Sequence, residues 1–457
     1  MTHTINSRFT TRWLVPFVAV LVLTSTASAG WKEKVLYSFQ GGSDGQDPAG
    51  GVVFDSLGNL YGATQEGGAD NCSPVAACGT VYQLAPSAKN GGSWTETVLH
   101  VFQGKAVDDG DFPRGGIIAD AVGNIYGTTG YGGTGDCVLL GIKGGCGTIF
   151  EMSPPQRKDG AWTYTILYSF KGGKDGNVPF GDLVFDGAGN LYGSTEFGGG
   201  KGTTCDPDYY QYCGTVFKLS PPKTKGGKWT EQVLHSFAGG SDGGNPNGGL
   251  VLDSAGAIYG TTVAGGNQGC MTNYSVGCGI VFELRPPTVK SGTWAEKRVK
   301  VFTGGNDGGV PNGGLIFDAK GALYGTAGGG AQQDGVVYQL THNSAGAWVE
   351  AVVHTFIDNV HGRDPVGPVT LDSAGNLIGS ALWGQYFRGL VYRLEPPKNG
   401  GGTWSYAIPY EFKGAPAAAY PEARLIFDNT GNIYSTTIGG GAGSCSGGCG
   451  TVFELQK

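Results

Sequence analysis

Apolar and polar positions repeat along the chain in blocks. A tryptophan followed eight residues later by phenylalanine recurs as Trp31 to Phe39, Trp94 to Phe102, Trp162 to Phe170, Trp229 to Phe237, Trp294 to Phe302, Trp348 to Phe356 and Trp404 to Phe412, at Trp-to-Trp intervals of 54 to 68 residues. Each unit holds four short runs rich in Val, Ile, Leu, Phe and Tyr, separated by turn residues, which predicts antiparallel strands. One unit reads GDLVFD from Gly181 (run A), NLYGST from Asn190 (run B), GTVFKL from Gly214 (run C) and WTEQVLHSF from Trp229 (run D). Run D carries Trp229, Val233 and Phe237 on one alternating face and Leu234 on the other, as a strand sandwiched between two neighbours needs.

Self-similarity at such a period marks a repeat architecture, and four strands per unit make one propeller blade. The predicted fold is all-β: a seven-bladed β-propeller of four-stranded antiparallel blades. The first run, WKEKVLYSF from Trp31, is a D strand, and the last, GTVFEL from Gly450, is a C strand. The N-terminal strand would therefore be the outer strand of the blade whose other three strands come from the C-terminus, a clasp that ties the ring and hides both edges. An open β-solenoid would want distinct capping repeats, and none is visible.

Residues 1–29 read as a secretory signal peptide: Arg8 and Arg12 precede an apolar run from Trp13 to Leu23 and a small-residue Ala27-Ser28-Ala29 site. Residues 30–457 are the propeller domain. No later stretch approaches the roughly 20 apolar residues of a membrane helix, and the expected location is secreted or periplasmic, with a monomer as the expected state. Without Arg8 and Arg12 the formal charge of −7 becomes −9, which argues against nucleic acid. Glycine, at 87 of 457 residues, is periodic and belongs to turns.

Ten cysteines form five local pairs between runs B and C: Cys72 with Cys78, Cys137 with Cys146, Cys205 with Cys213, Cys270 with Cys278, and Cys445 with Cys449. Repeats five and six lack both members, never one, as bonded partners would. Zinc sites favour two to four intervening residues with further ligands nearby; only Cys445 and Cys449 have that spacing, and no histidine lies in the loops. Disulfides are the reading for an exported chain.

The core motif, as Tyr192-Gly193-Ser194-Thr195 with Gly214-Thr215-Val216-Phe217 and as Tyr259-Gly260-Thr261-Thr262 with Gly279-Ile280-Val281-Phe282, resembles the Gloeobacter and Verrucomicrobia tandem repeat (GloVer) family of exported bacterial proteins. The resemblance covers all seven repeats and implies a surface or exported location rather than a known reaction. Many such proteins look like anchored surface proteins; no C-terminal anchor is read here. The architecture is also similar to kelch propellers, with a di-glycine after run B and a tryptophan opening run D.

Strand directions alternate within a blade, so the D-to-A and B-to-C loops share one face. That face carries the long paired-cysteine loops and the repeated GG-x-DG segments, and long loops on a rigid scaffold are where binding resides. In a sevenfold array, what recurs serves the fold and function should lie in the departures. The recurring Asp55, Asp120, Asp186, Asp253, Asp318, Asp372 and Asp428 read as turn formers, and His100, His235 and His354, which share a position with Tyr37, Tyr168 and Tyr410, as packing residues. Repeat six replaces its cysteine loop with LWGQYFRG, bringing Trp383, Tyr386 and Phe387, and its D-to-A loop carries His361, Arg363 and Asp364; repeat three adds Tyr209, Tyr210 and Tyr212. These nine residues are the candidate ligand-binding set, since exposed aromatic rings suit the apolar faces of sugars and also protein interfaces; plugging the channel or packing between loops is the alternative role. No organic cofactor is expected. Calcium is allowed by Asp108, Asp109 and Asp111 and by Asp44, Asp175, Asp242 and Asp307, although no EF-hand-like spacing is present.

These features predict an exported propeller that recognises a polysaccharide or a cell-surface protein partner. A carbohydrate lyase or hydrolase using His361, Arg363 and Asp364 is the alternative, and it lacks a paired-carboxylate or nucleophile motif. A purely structural envelope protein is the third reading.

Overall fold

The structure, a computed structural model, describes residues 30–457 except 69–77, 88–91, 140–141, 158–159, 201–212, 225, 268–269, 271–276, 290–291, 330–333, 358–361 and 399–400. Among the described residues the strands form seven four-stranded antiparallel sheets in a ring, with three two-stranded ribbons in the loops and short 3-10 turns. In blade three, strand A is Val184–Phe185, B is Leu191–Thr195, C is Thr215–Ser220 and D is Thr230–Ser236, hydrogen-bonded in that order. Strand B is buried along its whole length in every blade.

Strands C and D share a bulge in all seven blades. In blade three Phe217 pairs with Val233 and Val216 with His235, leaving Leu234 as the extra residue. The two apolar faces of run D thus arise because the strand changes face at Leu234. The bulge also adds twist, which fans neighbouring blades around the ring.

Closure follows the expected clasp. Lys32–Ser38 pairs antiparallel with Thr451–Gln456 and is the outer strand of the seventh blade. Trp31 donates its N–H to the Pro409 carbonyl at 3.1 Å and packs with Phe412 and Phe453. Glu33 accepts the Tyr410 hydroxyl at 2.8 Å and the Ala418 N–H at 3.0 Å.

Blades meet through one repeated aromatic pair. Phe237 ends the outer strand of blade three, with its N–H on the Gly214 carbonyl at 3.0 Å, and its ring meets Phe282 of blade four edge-on at 5.2 Å. The same pair recurs at every interface, from Phe39 with Tyr82 to Phe412 with Phe453. Edge-to-face packing at this distance is worth ~0.5–1.5 kcal/mol beyond the area it buries. The partner ring lies over the glycine of strand B: a Cβ on Gly260 would sit 2.6 Å from the Phe282 Cζ.

At the axis, Gly50, Gly115, Gly181, Gly248, Gly313 and Gly367, with Ala423, form a belt in which each blade touches the next. A Cβ on Gly50 would lie 2.6 Å from the Gly115 carbonyl oxygen, and one on Gly248 would lie 3.0 Å from that of Gly313. Thr326 and Thr436 of strand B donate to the Gly367 and Gly50 carbonyls at 3.2 and 2.9 Å, sewing blade five to six and seven to one.

The outer interfaces bury carboxylates in pairs. Tyr37 donates to Asp44 at 2.9 Å, and Glu96 of the adjoining outer strand is pushed up to about 7 by burial and by the Asp44 charge. Glu231 is raised to about 7 by burial and by Asp175. On the loop face Asp47 and Asp111 rise to about 6, Asp47 through burial and Glu66, Asp111 through burial and Asp109. Folded pKa values above the ordinary carboxylate range mean that the fold holds protons which the unfolded chain has released, so this contribution is complete below about pH 4 and is lost as pH rises toward 7. Melting temperature is therefore expected to fall by several degrees between pH 5 and pH 8, measured by circular dichroism at constant ionic strength. A flat or rising profile would contradict these assignments. Asp109 and Asp307 are shifted downward, so their contribution is lost only at more acidic pH.

Candidate functional site

The aspartates of the sequence motifs are spent on their own loops. Asp55 accepts the Leu57 and Asn59 N–H groups at 2.8 and 2.9 Å, and its counterparts do the same. In the GG-x-DG loops Asp44, Asp175, Asp242 and Asp307 each accept a loop N–H, from Gln40, Lys171, Ala238 and Thr303 at 2.7 to 3.0 Å. His100 and His235 pack edge-on against Phe102 and Phe237 and lie 3.2 and 3.3 Å from Asp109 and Asp242, so their role at the blade interface is structural. Asp108, Asp109 and Asp111 go to separate partners: Lys105, His100 with the Gln103 N–H, and the Cys78 N–H.

Three of the expected disulfides are described, Cys137–Cys146, Cys270–Cys278 and Cys445–Cys449, with Cα separations of 5.0, 4.8 and 5.0 Å. Cys78 and Cys213 are also disulfide-bonded, and Cys72 and Cys205, their expected partners, lie outside the described residues. The bridges do more than stiffen their own loops. Cβ positions built on Gly41, Gly172 and Gly304, each the first loop glycine of the next blade, lie 3.1, 2.6 and 2.3 Å from a cystine sulfur. Short covalent loops of this kind suit an oxidising compartment, and among the described residues no helix is long and apolar enough to cross a membrane.

The D-to-A loops all turn on one conformation. The residue before the loop proline, Asp47, Phe112, Val178, Asn245, Val310, Asp364 or Tyr420, has φ between 52° and 62°. A side chain there costs roughly 1–2 kcal/mol, offset by two hydrogen bonds that sew neighbouring blades together. Asn245 donates its N–H to the Cys213 carbonyl of blade three at 2.7 Å and accepts the Val263 N–H of its own blade at 3.2 Å. The following proline then meets the glycine that opens strand C of the preceding blade, as Pro246 does at Gly214.

The departures of repeats six and seven come together on this frame. Arg363 and Trp383 pair as an antiparallel bridge, with N–H to carbonyl distances of 3.1 and 3.3 Å, and the guanidinium lies 5.3 Å from the indole centroid. The Trp383 ring meets Tyr420 edge-on at 5.7 Å, and the Arg388 guanidinium lies 5.5 Å from the Tyr420 centroid, its Nη1 donating to the Tyr420 hydroxyl and to the Phe387 carbonyl. The result is a cation-aromatic ladder, Arg363, Trp383, Tyr420, Arg388, across two blades. Tyr386 and Phe387, 52% and 48% exposed, stand at its rim. Asp364 is half-buried; burial raises its carboxyl, while Arg363 and the Trp383 indole act in the opposite direction. Of the remaining sequence candidates, His361, Tyr209, Tyr210 and Tyr212 lie outside the described residues.

Sequence reasoning missed Tyr420 and Arg388. The repeat alignment holds a signal for both: Tyr420 fills the pre-proline position, and Arg388 stands where other repeats have their second cysteine. Arg388 also takes the space of the absent disulfide, since a Cβ on Gly414 of the next blade would lie 2.9 Å from its Nε.

Residues 22–205 and 137–359 match the profile of the Gloeobacter/Verrucomicrobia repeat. The matched span ends within the sixth D-to-A loop, where GG-x-DG is lost and the ladder begins. No curated protein matches the chain.

Proposed function

Because the chain belongs to the Gloeobacter/Verrucomicrobia repeat family, whose fold here presents a disulfide-stapled loop face, we propose that it is an exported binding propeller that recognises a polysaccharide through the ladder of repeats six and seven. The observation that carries this reading is the convergence of Arg363, Trp383, Tyr420 and Arg388 beside the exposed rings of Tyr386 and Phe387. Arg363 stands where the other blades have Gln46, Asp111, Asn177, Gly244, Gly309 and Ala419, and Arg388 where they have cysteine or Asp334. Trp383 and Tyr420 occupy positions that hold Tyr131, Phe197 and Phe112 elsewhere, so the two arginines and the exposed Tyr386 and Phe387 are what set this loop pair apart, and a large exposed ring that the fold does not need calls for a partner. Tyr386 and Phe387 offer apolar surface to a sugar face, and the guanidiniums, held against Trp383 and Tyr420, keep their remaining N–H donors for its hydroxyls with little freedom left to lose on binding.

A broad glycan array, run with and without calcium, tests this. The native protein is expected to bind a restricted set of glycans, and Trp383→Ala combined with Tyr386→Ala is expected to lower affinity at least tenfold, since a central aromatic anchor is worth about 2 kcal/mol or more. The variant should keep its melting temperature within a few degrees, because neither ring is part of a blade core. Binding by both proteins alike would move the site elsewhere. An empty array together with a captured surface protein whose binding the variant loses would assign the ladder to a protein partner instead.

A further inference from the structure

The axis of the ring holds a second set of departures. Blades four and five read Pro-Asn-Gly-Gly before strand A, at 246–249 and 311–314. The residue after the proline and the last of the four line a cavity of ≈ 180 Å³ on the axis, while the residue between them belongs to the glycine belt. At these two lining positions blades two, three and seven introduce Arg114, Phe180, Asp182, Glu422 and Arg424, and all five reach the same cavity.

Their pairing is incomplete. Asp182 accepts the Gly116 N–H at 2.7 Å and faces Arg424 at 3.7 Å, an ion pair that joins blades three and seven, which are not neighbours in the ring. Arg114 is exposed and lies over the Phe180 ring at 5.3 Å; its charge acts on the Glu196 and Glu422 carboxylates, but among the described residues none comes within ion-pair distance of it. An arginine held against a ring has its guanidinium plane preset, and that plane matches a carboxylate through two parallel N–H bonds. Asn247 of blade four, Asn312 of blade five and Glu422 of blade seven also line the cavity. These groups offer donors and acceptors to hydroxyls. Glycines at 51, 116, 249 and 314 leave the space between them free of side chains.

We propose that this axial cavity is a binding site for a small hydroxylated carboxylate of sugar-acid size, with the acid on Arg114 and its hydroxyls on Asn247, Asn312 and Glu422. The site shares no residue with the ladder of repeats six and seven and stands or falls independently of it.

Isothermal titration of the full protein with D-glucuronate, and with D-glucose as the uncharged counterpart, tests the site. Saturable binding of one D-glucuronate per chain is expected, with D-glucose silent. Arg114→Ala is expected to abolish the signal in a protein whose circular dichroism spectrum stays native, with a modest fall in melting temperature because Arg114 is the positive charge that opposes burial at Glu196 and Glu422. Arg114→Lys keeps the charge but loses the two-bond match, and affinity is expected to drop by about tenfold. The Trp383→Ala variant should bind D-glucuronate as the native protein does. Retention of binding by Arg114→Ala, its loss in Trp383→Ala, equal binding of D-glucose, or no titratable binding of D-glucuronate to a protein with a native circular dichroism spectrum would each overturn the proposal.

Discussion

A chain beginning at Gln40, without the strand Lys32–Ser38 and its flanking Trp31 and Phe39, is expected to lose the ring. Trp31, Leu36 and Phe39 are 8%, 6% and 0% exposed. The strand touches three blades: Trp31 packs on Ile378 and Val391 of blade six and on Phe453 of blade seven, and Phe39 on Tyr82 of blade one. Removing two buried aromatic side chains costs about 3–5 kcal/mol each, and a leucine about 2–5 kcal/mol. Their sum rivals the entire net stability of a folded domain, ~5–15 kcal/mol. Deletion also bares Thr451–Gln456 as an edge strand open to pairing with another chain. Calorimetry and size-exclusion chromatography should show an early, broad transition with soluble aggregates. Adding a synthetic peptide spanning Gly30–Phe39 should restore a sharp transition, since ring closure needs only that the strand be present. A truncated chain that melts with the native protein would show that the ring holds without its clasp.

Gly214→Val is the single substitution expected to do most damage. Gly214 has φ 92°, and a Cβ there would fall 2.3 Å from the Thr195 carbonyl oxygen and 2.7 Å from Pro246 Cδ. Both neighbours are rigid, one as the end of strand B and the other as the proline of the next blade's loop, so the clash cannot be relieved by a rotamer change. A loss of more than ~3 kcal/mol is expected from strain and repacking together. Gly187→Ala, in the turn after strand A with nothing within 4 Å of its Cβ, is the control and should be neutral or slightly stabilising. Urea denaturation of the two variants separates the effects. Equal midpoints would mean that the Gly214 contact with the next blade carries no weight.

The same glycine shows where sequence reading stops. Gly214 reads as a turn residue opening run C, and Pro246 as a turn residue 32 positions later. Nothing local says that they touch. Their contact forms only because the ring places the start of one blade's third strand beside the next blade's inner loop. The pre-proline residues behave alike: Asp47, Phe112 and Val178 have nothing in common as side chains, so their shared φ near 55° to 60° has no compositional mark. The run-D pattern misled for a related reason. Both its faces are apolar, yet Leu234 is a bulge residue, and a bulge is set by the register with strand C rather than by run D alone.

The candidate site divides in the same way. Arg363, and Trp383 with the loop that replaces the cysteines, were legible as breaks in a repeat, whereas Asp364 repeats the Asp47 of blade one. Tyr420 and Arg388 escaped because each replaces a residue whose job is defined only across a blade boundary, Arg388 standing against Gly414 where a cystine would stand. The axial set is hidden further, since Arg114, Asp182 and Arg424 lie in three blades and meet only across the channel.

By itself, then, the sequence determined the number of blades, the four strands of each, the turns between them, three of the cysteine pairs and the circular permutation that places the first strand beside the last. These follow from short-range rules, alternation along a strand and the backbone freedom of glycine, that act within one unit. The tertiary structure alone decided which residues of different units touch, from Thr436 on Gly50 to Phe39 on Tyr82. Contacts of that kind depend on how seven similar units close about one axis, a constraint on the whole ring that no single unit encodes.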